Sequence, residues 1–103
     1  MKIIYSETAL KTLSEIIDFL EHKWTSKEID NLKNDIFKFE QTIYENIITH
    51  QYYLKESEIR FMLIAKKQVK IFYKKTIDNK VQVIAFWYSK GSTPNLRKLL
   101  KSL

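Results

Sequence analysis

Two periodicities divide the chain. In the first half apolar residues recur every three or four positions, and in the second they alternate every two. Leu10, Leu13, Ile17, Leu20 and Trp24 follow one another at spacings of 3, 4, 3 and 4, which predicts a helix with one apolar stripe. Ser6 stands before it as an N-cap, with Glu7 in the first turn, where a negative charge suits the helix dipole. Thr25-Ser26-Lys27-Glu28 has the form of a capping box and predicts a second helix, striped by Ile29, Leu32, Ile36, Phe39, Ile43 and Ile47. The short link between the two predicts an antiparallel helical hairpin. Lys2–Tyr5 reads as a short strand, and His50–Lys55 as a connector without a clear pattern.

Beyond that connector, Glu58–Ala65, Gln68–Lys75 and Lys80–Ser89 predict three strands. In the middle one Val69, Ile71 and Tyr73 alternate with Lys70, Phe72 and Lys74, so the last three share a face. Lys66-Lys67 and Asp78-Asn79 read as hairpin turns, although neither has the glycine such turns favour. Val81–Tyr88 is apolar at nearly every position except Gln82, which predicts a central strand or one covered on both faces. Phe86 and Tyr88 alternate onto one of its faces, Ala85 and Trp87 onto the other. Gly91-Ser-Thr-Pro94 is the only Gly/Pro cluster, and Pro94 would open a short helix with Leu96, Leu99, Leu100 and Leu103 on one side. The predicted order is β-α-α-β-β-β-α: an α+β domain spanning residues 1–103, its helical hairpin packed on a mainly antiparallel sheet.

Charge sharpens this division. Residues 51–103 hold 12 Lys/Arg against 3 Asp/Glu, whereas residues 1–50 hold 6 against 9. The strand-forming half therefore carries a net +9 and asks for an anionic partner: nucleic acid, an acidic protein or an anionic membrane surface. No apolar run reaches the roughly 18 residues of a membrane span. The N-terminus runs straight into a strand pattern, so no signal peptide is expected. With zero cysteines there is no disulfide, thiolate chemistry or cysteine metal site, which fits a cytoplasmic protein. His22 and His50 are isolated from one another, and neither a metal site nor a cofactor is expected.

Several residues are candidates for chemistry. Lys66, Lys67, Lys70, Lys74 and Phe72 combine cations for phosphate with a ring for base stacking. The plain alternative is that strand lysines protect sheet edges and strand aromatics fill the core. Tyr88, at the end of its strand beside Ser89 and Lys90, would act as a general acid/base, or else cap the core with its hydroxyl in water. Arg60 offers a fork of donors for a pentavalent phosphate, or a surface ion pair with Glu56 or Glu58. The helical carboxylates offer no acid/base pair.

Taken together, these residues resemble the RelE/ParE superfamily of bacterial toxins from type II toxin–antitoxin pairs. Ile59-Arg60 followed by Val69-Lys-Ile-Phe-Tyr73 is similar to the family's arginine at the start of one strand and basic-aliphatic-aliphatic-Tyr run in the next. Val83-Ile-Ala-Phe-Trp-Tyr-Ser-Lys90, then Pro94 and Leu96, resembles its closing strand, and Ile4-Tyr-Ser-Glu-Thr-Ala-Leu10 its opening. The resemblance implies a growth-arresting protein silenced by a cognate antitoxin. For RelE-like members it implies metal-free, ribosome-dependent mRNA cleavage by 2′-hydroxyl attack, with Arg60, Lys70, Tyr88 and Lys90 as catalytic positions. For ParE-like members it implies non-enzymatic inhibition of DNA gyrase. Lysine stands at positions 70 and 90, where nucleases often have arginine, and no histidine stands near the C-terminus. A basic protein-binding module without toxicity is the third expectation.

Overall fold

A computed structural model describes residues 2–45 and 50–89. Its elements are β1 (Lys2–Tyr5), α1 (Glu7–Leu20), α2 (Ser26–Glu45), β2 (Tyr52–Leu54), β3 (Ile59–Ile64), β4 (Val69–Lys75) and β5 (Lys80–Tyr88). The strands form one five-stranded sheet in the order β1-β5-β4-β3-β2, and both helices pack on one of its faces. All neighbouring pairs are antiparallel except β1 with β5, which are parallel. The architecture is α+β, two helices on a mostly antiparallel sheet, and no helix among the described residues is long and apolar enough to cross a membrane.

The strand β2 lies where the sequence pattern gave only a connector. Three residues are too few to show a period, and β2 forms because it borders β3, with Tyr52 opposite Arg60 and Leu54 opposite Ile59. The predicted C-terminal helix, together with Ile47 and Lys90, lies outside the described residues.

Local chemistry sets the element ends. The Ser6 hydroxyl accepts the Ala9 N–H and donates to the Ile84 carbonyl, so one side chain caps α1 and ties it to β5. The Thr25 hydroxyl accepts the Glu28 N–H while the Glu28 carboxylate accepts the Thr25 N–H, each at 3.3 Å, which is a closed capping box. The apolar stripe of α1 is rotated from its predicted position: Ala9, Ile16 and Leu20 are buried, Leu13 and Ile17 are partly buried, and Leu10 is 55% exposed. The reason is a close approach to β5. Ala9 is small enough to sit fully buried at the contact, and the Thr12 hydroxyl accepts the Phe86 N–H at 3.0 Å. The pairing register slips between Phe72 and Tyr73, so that Ile84 and Ala85 both join the same side of β5.

Two apolar clusters result, one on each face. On the helix face Leu32, Phe39 and Ile43 of α2 meet Ile71, Tyr73, Val83 and Phe86. On the far face Leu54, Ile59, Phe72, Ile84 and Ala85 form a smaller cluster with Tyr53, Phe61 and Trp87 at its margin. The strand β5 lies inside the sheet between β1 and β4 and is covered on both faces, as its composition predicts, while β4 holds the centre.

The two hairpins take their predicted turns. At β4–β5 Asn79 adopts φ 60, a left-handed conformation asparagine tolerates. At β3–β4 the Gln68 N–H bonds the Ala65 carbonyl at 3.1 Å, and Lys66 and Lys67 have φ 55 and 69, the geometry of a two-residue type I′ turn. Ala65 is left-handed too, with φ 52, and its N–H is held by the Asp35 carboxylate of α2 at 2.9 Å. Left-handed backbone costs a residue with a Cβ about 1–2 kcal/mol. Replacing the pair as Lys66→Asn with Lys67→Gly should therefore raise stability by about 1 kcal/mol. A urea midpoint that rises at unchanged slope would register the gain, and an unmoved or lower midpoint would refute it.

Candidate functional site

Residues that face each other across paired strands share a face, and this rule separates the predicted catalytic set. Lys70 pairs with Trp87 on the far face, where its Nζ lies 5.8 Å from the Tyr53 ring centroid. Tyr88 pairs with Val69 on the helix face and is only 7% exposed. Its ring packs at 5.8 Å from Phe19 and 6.1 Å, edge-on, from Trp24. A side chain at a strand end is expected to leave the core, but Tyr88 stays in it, because α1 and the link to α2 extend over the end of β5. Arg60 also faces the helices, opposite Tyr73. Lys70 and Tyr88 therefore point to opposite sides of the sheet.

Of the predicted nucleic-acid contacts, Lys70, Phe72 and Lys74 do share the far face, with Lys74 opposite Gln82. Phe72, however, is fully buried, with Tyr53 5.0 Å and Phe61 6.4 Å away, so its ring has no free surface for a base. Lys66 and Lys67 are exposed at the β3–β4 turn. The one ion pair among the described residues joins Lys80 to Asp78, so the basic surface is not neutralised by neighbouring carboxylates.

Around Arg60, one member of the predicted set, the fold assembles a further group. His50, two residues before β2, lies beside Tyr73 of β4, with Nδ1 2.6 Å from the phenol oxygen. Arg60 donates from Nη1 to the His50 carbonyl at 2.6 Å, and its guanidinium lies 3.8 Å from the Tyr52 ring centroid. It forms no ion pair with Glu56 or Glu58 among the described residues. Phe39 of α2 closes the group, its ring 5.3 Å from Tyr73 and 6.1 Å from His50. Tyr73 is 1% exposed, while His50 and Arg60 are half-buried and reach the surface.

The electrostatics keep both His50 and Tyr73 uncharged at neutral pH. Burial lowers the His50 pKa from its ordinary 6.5, and the nearby Arg60 charge lowers it further, so the imidazole is neutral. Burial raises the Tyr73 pKa, partly opposed by a hydrogen bond with the His50 backbone and by the Arg60 charge, so the phenol keeps its proton. When Nδ1–H donates to Tyr73, the other ring nitrogen carries the lone pair of a base. The same shift gives stability a pH dependence. The unfolded chain takes up a proton near pH 6.5 that the folded chain resists, so stability is full above that value and falls as pH drops through the lower folded pKa. Thermal melts over about pH 5 to 7 should show that slope, and a His50→Gln chain should lose part of it. Identical slopes in the two chains would contradict the depressed pKa.

Sequence reasoning passed over His50 and gave Tyr73 no chemical role. The two lie 23 residues apart, and no local spacing links them. One signal was present: counting outward from a two-residue turn at Lys66-Lys67 sets Arg60 opposite Tyr73, the observed register. No protein-family model matches this chain, and no curated protein matches it.

Proposed function

We propose that this chain is the toxin of a type II toxin–antitoxin pair, of the RelE/ParE kind, arresting growth by cutting message on the ribosome until a cognate antitoxin covers it. One observation carries the catalytic part: an imidazole bonded to a phenol at 2.6 Å, with a guanidinium bonded to the same residue at 2.6 Å. The imidazole and the guanidinium supply the proton transfer and the phosphate-binding charge that metal-free cleavage of RNA uses. His50 takes the proton of the 2′-hydroxyl as that oxygen attacks the adjacent phosphorus. Arg60 uses one N–H on His50 and offers the rest of its fork to the pentavalent phosphate. The bond to the 5′ oxygen breaks, and His50 returns the proton there, leaving a cyclic phosphate and a 5′-hydroxyl. Tyr73 does not meet the substrate; it positions the imidazole. The unpaired lysines of the sheet and turns draw the chain to the ribosome.

The test is a cell-free translation reaction in which the position of cuts in the message is mapped. Cuts that appear only in translated message support the reading, and intact message with protein synthesis undiminished refutes it. A second reading, ParE-like inhibition of gyrase without nuclease activity, is favoured by the separation of Lys70 from Tyr88 across the sheet. It requires loss of supercoiling with translation untouched, and normal gyrase turnover in excess protein excludes it.

A further inference from the structure

We propose that the groove between α2 and the β3 edge is a track for single-stranded RNA leading to His50 and Arg60. The inference rests on the RNA reading above and adds a binding surface on the helix side, away from the far-face cations. Two adjoining hollows form the groove. The larger, about 480 Å³, lies between α2 and the β3–β4 turn. The smaller, about 240 Å³, follows β3 from that turn towards Met62. They share Asp35, Lys38, Ala65 and Lys66, so one strand can run through both.

The linings differ as the parts of a nucleotide do. The larger hollow has two aromatic rings, Trp24 and Phe37, and three amides, Asn31, Asn34 and Gln68. Phe37 is 59% exposed, a large ring left in water on an outer helix face. Rings stack bases, and amides bond base edges and the 2′-hydroxyl. The smaller hollow has three cations, Lys38, Lys66 and Lys67, for the phosphates. Two carboxylates also line the groove, and both are engaged: Glu28 in its capping box and Asp35 on the Ala65 N–H. The smaller hollow reaches Met62, two residues along β3 from Arg60 and on the same face of the strand. Lys38 adjoins Phe39, whose ring packs on His50, and five residues of β3 carry the chain from Ala65 back to Arg60, about 16 Å.

The turn supplies an independent reason. Its left-handed positions hold two exposed lysines where asparagine and glycine would fit with less strain. Strain retained at a surface turn calls for a use of the side chains that cause it.

A fluorescent single-stranded RNA octamer and the purified chain test this by anisotropy, without ribosomes. Phe37→Ala should weaken binding roughly tenfold through lost stacking. The Lys66→Asn, Lys67→Gly chain should weaken it by a similar factor and flatten the dependence on salt by about 1.4 in log–log slope. That double variant relaxes the turn, so unfolding cannot explain its loss. Wild-type affinity in both variants, or equal affinity for duplex RNA or a DNA octamer of the same sequence, overturns the proposal. Message mapping reads the parent hypothesis separately. Unchanged binding with message still cut removes the groove alone, whereas weakened binding with no message cut leaves the groove and removes the message-cleavage reading.

Discussion

Exchanging His50 for glutamine is expected to slow message cleavage by about 100-fold or more, with little change in melting temperature at neutral pH. The imidazole is neutral at pH 7 and within reach of solvent, so it can take a proton from a bound substrate. Glutamine keeps much of its volume and a hydrogen bond to Tyr73 but takes no proton. Arg60→Lys should lose a comparable factor, because an ammonium cannot replace the guanidinium fork. Tyr88→Phe should retain the wild-type rate, since that hydroxyl belongs to a ring packed between Phe19 and Trp24. This pattern separates the observed group from the one the family resemblance implied. Full activity in His50→Gln, or loss of activity in Tyr88→Phe with the fold retained, would return the chemistry to the end of β5.

The second large effect concerns stability. Phe72→Ala is expected to cost about 3–5 kcal/mol, the usual range for removing a fully buried phenylalanine. A domain of this size holds about 5–15 kcal/mol in all, so the variant should melt at least about 12 °C lower or fail to fold. Its neighbours along β4 provide the control. Lys70→Ala and Lys74→Ala remove side chains from the same face and should change stability by about 0.5 kcal/mol or less. If Phe72 were a base-stacking surface, its removal would weaken RNA binding and leave the melt unmoved. Calorimetry on the three variants decides between these outcomes.

The contrast between Phe72 and its flanking lysines shows where sequence reading succeeds. Alternation along β4 assigns Lys70, Phe72 and Lys74 to one face, because a strand turns each side chain to the opposite side of its neighbour's. The pattern contains no information on what covers that face. Burial of Phe72 depends on Tyr53 and Phe61, which come from two other strands. The stripe of α1 behaves similarly. Periodicity locates a helix, but two adjacent rows of apolar residues, through Leu10 and through Ala9, both satisfy it. The Thr12 hydroxyl on Phe86 and the small Ala9 side chain select the second.

The sequence by itself determined the first two helices with their N-terminal caps, three of the sheet's five strands in order with both hairpin turns, the short opening strand, and the concentration of cations in the second half. These follow from local preferences and from period, which act within a few residues of one another. Only the tertiary structure decided that Tyr52–Leu54 extends the sheet, that Tyr88 turns into the core, and that His50 meets Tyr73 and Arg60. Each of those depends on contacts between residues distant along the chain, such as the Phe39 ring of α2 that packs on both Tyr73 and His50.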